Sequence, residues 1–220
     1  MAISSLSMAQ TNDFGIWTSI GANKELGKWD LSAETELRTK ENITAIDRWN
    51  IGLSAGYKIF KPVKIGGGYE FIFFNDSEYK DYQPRHRAYL FVQGKQKIGH
   101  FTFSLRERAQ ITAKDVTDRI KESGKIDNYK VNPEYIWRNK FKIEYNIPRL
   151  PVTPEASVET FYTLNNPDGN AFEQIRYTLS IEYKLSKKHK FEVYGMYDKE
   201  INSEDPVQNF VMGVGYIFSF

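Results

Sequence analysis

From Asp13 to the C-terminus, apolar and polar residues alternate with a period of two, segment after segment. That pattern predicts strands with one apolar and one polar face. Asp30 to Arg38 sets Leu31, Ala33, Thr35 and Leu37 against Ser32, Glu34, Glu36 and Arg38. Arg48 to Ile59 sets Trp49, Ile51, Leu53, Ala55, Tyr57 and Ile59 against Arg48, Asn50, Ser54 and Lys58. In Val63 to Phe73, Val63, Ile65, Tyr69, Phe71 and Phe73 oppose Lys64 and Glu70. Phe101, Phe103 and Leu105 oppose Thr102, Ser104, Arg106 and Arg108, while Trp137, Phe141, Ile143 and Tyr145 oppose Arg138, Lys140, Lys142 and Glu144. Ile175 to Leu185 repeats the pattern against Arg176, Thr178, Ser180, Glu182 and Lys184. Phe14–Ala22, Arg85–Val92, Ala156–Tyr162 and Phe191–Tyr197 are less regular. Around Ala88 the faces stay unassigned, because Tyr89 and Phe91 compete with Leu90 and Val92.

The connections alternate in kind. Short ones fall at Lys24–Lys28, Lys61–Pro62, Lys95–Gly99, Pro148–Pro154 and Ser186–His189. Longer polar ones fall at Glu41–Asp47, Asn75–Pro84, Thr112–Asn132, Asn165–Asn170 and Asn202–Pro206. Segments of about ten residues joined this way suit a transmembrane antiparallel up-and-down β-barrel, with short periplasmic turns and longer extracellular loops. The charged stretch Thr112–Asn132 has no apolar stripe to support a helix. Eleven segments are counted, whereas bacterial single-chain barrels have even numbers. The expectation is therefore 10–12 wall strands, with Phe14–Ala22 the segment in question.

Composition sharpens this picture. The mean hydropathy is that of a soluble protein, but in a barrel only alternate residues face lipid. No run approaches the roughly 18 apolar residues of a spanning helix, the longest such stretch being Phe71–Phe74. Aromatic residues make up 15% of the chain and 14 of them are tyrosines, which suits side chains placed at boundaries between water and lipid. With no cysteine, disulfides, thiol chemistry and a lipoprotein anchor drop out. A net charge of +2 gives no reason to expect nucleic acid as a partner.

Both termini point to export. Met1–Ala9 is small and apolar, with Ser7 and Ala9 placed as at a signal-peptidase site before Gln10. Residues 1–9 are thus expected to be the tail of a signal peptide and 10–220 a single barrel domain. At the other end Phe210, Met212, Val214, Tyr216, Phe218 and Phe220 share one face, and the chain closes on the aromatic. This resembles the C-terminal assembly signal of outer-membrane barrels, carried here by Gly215, Tyr216, Phe218 and Phe220, although Gly213 stands where a polar residue is usual. An apolar last strand with an open edge is something insertion machinery can pair with. Three further stretches, Asp13-Phe14-Gly15-Ile16-Trp17, Glu34-Thr35-Glu36-Leu37-Arg38 with Arg48-Trp49-Asn50, and Phe103-Ser104-Leu105-Arg106-Glu107-Arg108, resemble an outer-membrane family known as domain-of-unknown-function family 2490. The resemblance implies a small barrel and brings no activity or functional residues with it.

Candidate chemistry is sparse. Of the three histidines, His100 and His189 fall in short turns, and His86 lies near an outer rim beside Arg85 and Arg87. A base there would need a nucleophile and an orienting group, and neither stands at telling spacing. Acidic loops offer Asp76, Glu78, Asp81, Glu204 and Asp205 without the ligand spacing of a defined cation site. No cofactor or metal is expected. The informative set is the charge on the polar face: Glu34, Glu36, Arg38, Arg48, Lys58, Glu70, Arg106, Arg108, Arg138, Lys142, Glu144, Glu159, Arg176, Glu182 and Glu192. In a small barrel such side chains fill the lumen and pair across it, and carboxylates such as Glu34, Glu36 or Glu144 are expected partners for Arg106 and Arg108. The expected function is a non-enzymatic outer-membrane barrel, acting as structural element, small pore or subunit of an envelope complex. Its expected partners are outer-membrane lipid and lipopolysaccharide, the barrel-insertion machinery and, within a complex, other envelope proteins. Two rivals stand beside it, an outer-membrane enzyme acting on lipid, lipid A or peptide, and a soluble β-barrel carrier.

Overall fold

The computed structural model describes residues 11–202 and 206–220. The anticipated cleavage site after Ala9, and Glu204 and Asp205, lie outside the described residues. In chain order the strands are β1 (Thr11–Leu26), β2 (Trp29–Lys40), β3 (Ala45–Phe60), β4 (Val63–Asp76), β5 (Asp81–Ile98), β6 (Phe101–Lys114), β7 (Glu134–Tyr145), β8 (Val152–Thr163), β9 (Ala171–Lys184), β10 (His189–Glu200) and β11 (Val207–Ser219). Each pairs antiparallel with its neighbour in the chain, and β1 meets β11 to close the barrel. No helix occurs among the described residues.

The even strand number does not hold, and the reason is topological. Phe14–Ala22 is part of a full wall strand, β1, which runs from the long-loop end to the short-turn end just as β11 does. With eleven strands the closing pair must therefore be parallel, and it is, from Thr11 opposite Val207 to Asn23 opposite Ser219. Parallel pairing is slightly weaker per residue than antiparallel. The lower end of this seam gains extra bonds, with Phe220 N donating to Asn23 O at 3.0 Å and Ser219 Oγ to Asn23 Oδ1 at 3.1 Å.

Several strands run further than the alternation suggests. Asn75 still pairs with Tyr82 and Asp76 with Asp81, so the β4–β5 loop shrinks to residues 77–80. Polar residues can carry a ladder above the lipid, and they carry no apolar periodicity that would announce it. His189 likewise opens β10 rather than sitting in a turn. At the short-turn end Gly27 (φ 62°) and Gly99 (φ 61°) supply the left-handed backbone that two-residue turns require.

The faces follow the alternation. Leu90 and Leu179 are 71% and 70% exposed on the outside, while charged side chains line the inside. That is the inverse of a soluble carrier, whose interior must be apolar. Aromatic rings gather at the two ends of the outer wall. Trp29, Tyr57, Phe101, Tyr145, Phe191, Tyr216 and Phe218 stand toward the short turns, and Trp49, Phe73, Tyr82, Trp137, Tyr162, Tyr177 and Phe210 toward the long loops. Two such belts around an aliphatic band are what a lipid bilayer selects.

The ambiguous strand resolves against intuition. On β5 Leu90 and Val92 face lipid, and Tyr89 and Phe91 turn inward. They do so because β4 presents glycine beneath them. A Cβ on Gly66 would stand 2.6 Å from the Phe91 ring, and one on Gly68 would overlap the Tyr89 phenol. Tyr194 lies over Gly213 in the same way, on the β10–β11 pair. Gly213→Ala should therefore expel the Tyr194 ring and destabilise the barrel by about 1–3 kcal/mol, as overpacking does. Denaturant unfolding should show much of that loss recovered in Gly213→Ala/Tyr194→Ala; a double variant as unstable as the sum of its parts would remove the contact as the cause.

Candidate functional site: the polar lumen

The lumen is built by the inward face of every strand. Glu34, Glu36 and Arg38 enter from β2, Arg48 from β3, Glu70 from β4, Arg106 and Arg108 from β6, Arg138 from β7 and Arg176 from β9, all lining one chamber of about 1,030 Å³. A second chamber of about 310 Å³ lies toward the short turns and is lined in part by Glu182, Lys142, Glu155 and Ser180. Glu144 sits at that end too, paired with Lys142 at 2.5 Å and Lys95 at 2.9 Å. Arg106, Lys140, Thr178 and Glu192 line both chambers and form the waist between them.

Charge is not scattered around this wall. Arg87 on β5, Arg106 and Arg108 on β6, and Arg138 and Lys140 on β7 make an unbroken basic arc. Two carboxylates flank it. Glu159 on β8 accepts from Arg106 Nη2 at 2.9 Å and from Arg138 Nη2 at 3.0 Å and Nε at 3.1 Å. Glu70 on β4 accepts from Arg87 Nη1 at 3.0 Å and lies 3.9 Å from Arg108. Across the lumen stand Glu34 and Glu36 on β2 and Glu192 and Asp198 on β10, with Arg38 among them. Arg38 is tied to Glu36 at 2.6 Å, and Arg176 forks onto Asp198 at 2.6 and 3.2 Å. Trp17 and Phe161 offer their rings to these guanidiniums: Arg38 stands 3.6 Å from the Trp17 centroid and Arg138 4.5 Å from that of Phe161.

The partners of Arg106 and Arg108 differ from those expected. Glu34, Glu36 and Glu144 lie across the barrel or near its lower end, whereas Glu159 and Glu70 sit at the edges of the basic arc, where long side chains reach them. Sequence reasoning left out Arg85 and Arg87, because the two inward aromatics of β5 hid its parity, and Asp198, which follows an irregular run. Lys140 was legible as polar-face but not as special. Among the described residues Lys140, Glu34 and Glu192 form no ion pair, so the chambers must offer them water.

Above the lumen the β6–β7 loop folds back over the β4–β5 end. Arg119, 7% exposed, is its anchor and pairs with Asp76 and, at 3.1 Å, with Asp127. The ring of Tyr129 lies under the same guanidinium, 4.1 Å away, and its hydroxyl donates to Gln83 Oε1 at 3.0 Å. Hydrogen bonds from Lys121 and Tyr79 hold the Asp127 carboxyl down to about 2. A depressed carboxylate contributes above its ordinary titration range and loses that contribution as pH falls through the folded value, so the Asp127 contact of this clasp is the one expected to persist into acid pH. Asp76 is thus engaged by the Arg119 guanidinium.

The remaining candidates lie elsewhere. His86 points outward, its Nδ1 2.5 Å from Tyr69 Oη and its ring against Phe71. His189 bonds Tyr216 Oη through Nδ1 at 2.7 Å and packs on Phe218. Gly215 faces inward, 3.1 Å (as a Cβ) from Ser19 Oγ, while Tyr216, Phe218 and Phe220 belong to the lower aromatic belt.

Residues 14–209 match the model of the family described as protein of unknown function DUF2490. The chain belongs to this family. A comparison with curated proteins returned no match. Among solved structures, the NanC porin in a rhombohedral crystal form is similar with a TM-score of 0.52 and 13% identity, over 83% of this chain and 84% of that one. A porin refined at 1.8 Å resolution is similar at a TM-score of 0.38 and 13% identity, over 84% of this chain and 56% of that one, too distant to bear on the argument. This DUF2490 barrel thus shares the porin-type wall, and the likeness speaks to fold alone.

Proposed function

We propose that this DUF2490 protein is a non-enzymatic barrel of the bacterial outer membrane that acts as a narrow pore for small hydrophilic solutes. The observation that carries this reading is the waist. Arg106, Lys140, Thr178 and Glu192 reach both chambers, and two of its three charges, Lys140 and Glu192, form no ion pair among the described residues. A lumen built only to brace the wall would pair its charges throughout, since an unpaired ion away from water costs several kcal/mol. The separation of a basic arc from an acidic wall gives a passing solute a transverse field, strongest where low-dielectric walls come close.

Reconstitution into a planar bilayer tests this. Folded protein should give small, discrete conductance steps, and Lys140→Glu should shift the reversal potential under a salt gradient toward cation selectivity. Glu192→Gln should shift it the other way. Folded barrels that leave the bilayer at its baseline conductance would reduce the lumen to a brace.

A further inference from the structure

Among the described residues, the outer wall between the aromatic belts carries single threonines at Thr18 and Thr35 but a carboxylate at one place. There Glu107 on β6 stands opposite Asn139 on β7, and Asn139 opposite Thr160 on β8. Their chain neighbours Arg106, Arg108, Arg138, Lys140 and Glu159 line the lumen, so parity turns these three outward. They share a face with Leu105, Trp137 and Phe141, which are 50%, 40% and 41% exposed. Trp137 Nε1 donates to Glu107 Oε2 at 2.7 Å and Asn139 Oδ1 at 3.0 Å, and Asn139 Nδ2 donates to Thr160 Oγ1 at 3.2 Å. Among the described residues Glu107 is the one acidic side chain on this band, and its Oε1 accepts no protein hydrogen bond.

Hydrocarbon offers a carboxylate nothing, and an acid on the lipid face of a barrel is destabilising. An anionic lipid phosphate would be repelled by Glu107. What covers the patch must bring donors into the membrane, where polar contacts between walls hold them together. The patch itself has what is needed: the second amide hydrogen of Asn139 Nδ2 and the hydroxyl hydrogen of Thr160 lie on the same face as the unused Oε1 of Glu107. A second copy turned about a twofold axis through the patch sets Glu107 of one copy against Asn139 and Thr160 of the other, an isologous contact. Ala109 and Ala156, exposed on the same face, let the two walls approach. We infer that the β6–β8 wall is the surface on which two copies of this chain pair within the membrane.

The chain has no cysteine, so a single introduced one reports proximity cleanly. Ala109→Cys, oxidised in outer membranes, should give a reductant-sensitive band of dimer size; Leu53→Cys, 60% exposed on β3, should not. Adding Glu107→Leu to Ala109→Cys should abolish the dimer band while the reduced, unboiled protein still runs as a folded barrel. A folded Ala109→Cys protein that gives no cross-link, a cross-link that survives Glu107→Leu, or a cross-link to a chain of different mass would each overturn the pairing of copies on this wall.

Discussion

Replacing Glu159 with alanine should destabilise the barrel by about 3–5 kcal/mol, the cost of removing one member of a buried ion pair. Its side chain is 3% exposed and takes hydrogen bonds from both Arg106 and Arg138. Without it, those two guanidiniums and the Lys140 ammonium are left as like charges on adjacent strands. Glu192→Ala supplies the contrast. Glu192 forms no ion pair among the described residues, and its removal should change stability by no more than about 0.5 kcal/mol. Urea titration of each protein in lipid vesicles, followed by tryptophan fluorescence, compares the two directly. Equal, small losses would show that solvent in the lumen screens Glu159 as fully as it does Glu192, and the basic arc would then need no carboxylate to hold it.

The same residues show where sequence reasoning reaches and where it stops. Period-two alternation exposed the wall strands because lipid punishes a polar residue on one face, and every clean segment reflects that penalty. It fell short on β5, because Tyr89 and Phe91 are apolar residues facing the lumen. What admits them is glycine on a different strand, and single-strand periodicity cannot see across a ladder. It fell short again at closure. Phe14–Ala22 carries a weak alternation, with Gly15 and Gly21 on its inner face, and the parity rule argued against it. Only the pairing of β1 with β11 shows that an odd count closes by a parallel seam. For the lumen, alternation names which charges face inward. Which of them meet depends on strand neighbourhood and side-chain reach, so Glu159 was one carboxylate among several until β7 and β8 were set side by side. The β6–β7 loop was opaque altogether, since its order rests on Arg119 meeting Asp76 and Asp127, a contact between segments far apart in the chain.

The largest effect outside the lumen is expected at the C-terminal end of β11. Changing Phe218 and Phe220 together to serine should cost about 3–6 kcal/mol, at about 1.5–3 kcal/mol for each apolar side chain taken out of its surroundings. Phe218 packs against His189 and Phe220, with ring centroids 5.2 and 4.7 Å apart. Phe220 also places its backbone amide on Asn23 O of β1, at the foot of the parallel seam. The loss therefore falls where closure has the weaker geometry. Refolding from urea into vesicles, scored by the gel shift between unboiled and boiled samples, should give little folded barrel. The leucine pair Phe218→Leu/Phe220→Leu separates two origins of that defect. It keeps the apolar stripe, so refolding into vesicles should be largely restored. If the cell's insertion machinery reads the aromatic rings themselves, the leucine pair should still accumulate poorly in the outer membrane. Full accumulation of the leucine pair in cells would show that apolar character alone is what assembly requires. Unimpaired refolding of the serine pair would show instead that the seam closes without the stripe, leaving the end of β11 no part in holding the barrel shut.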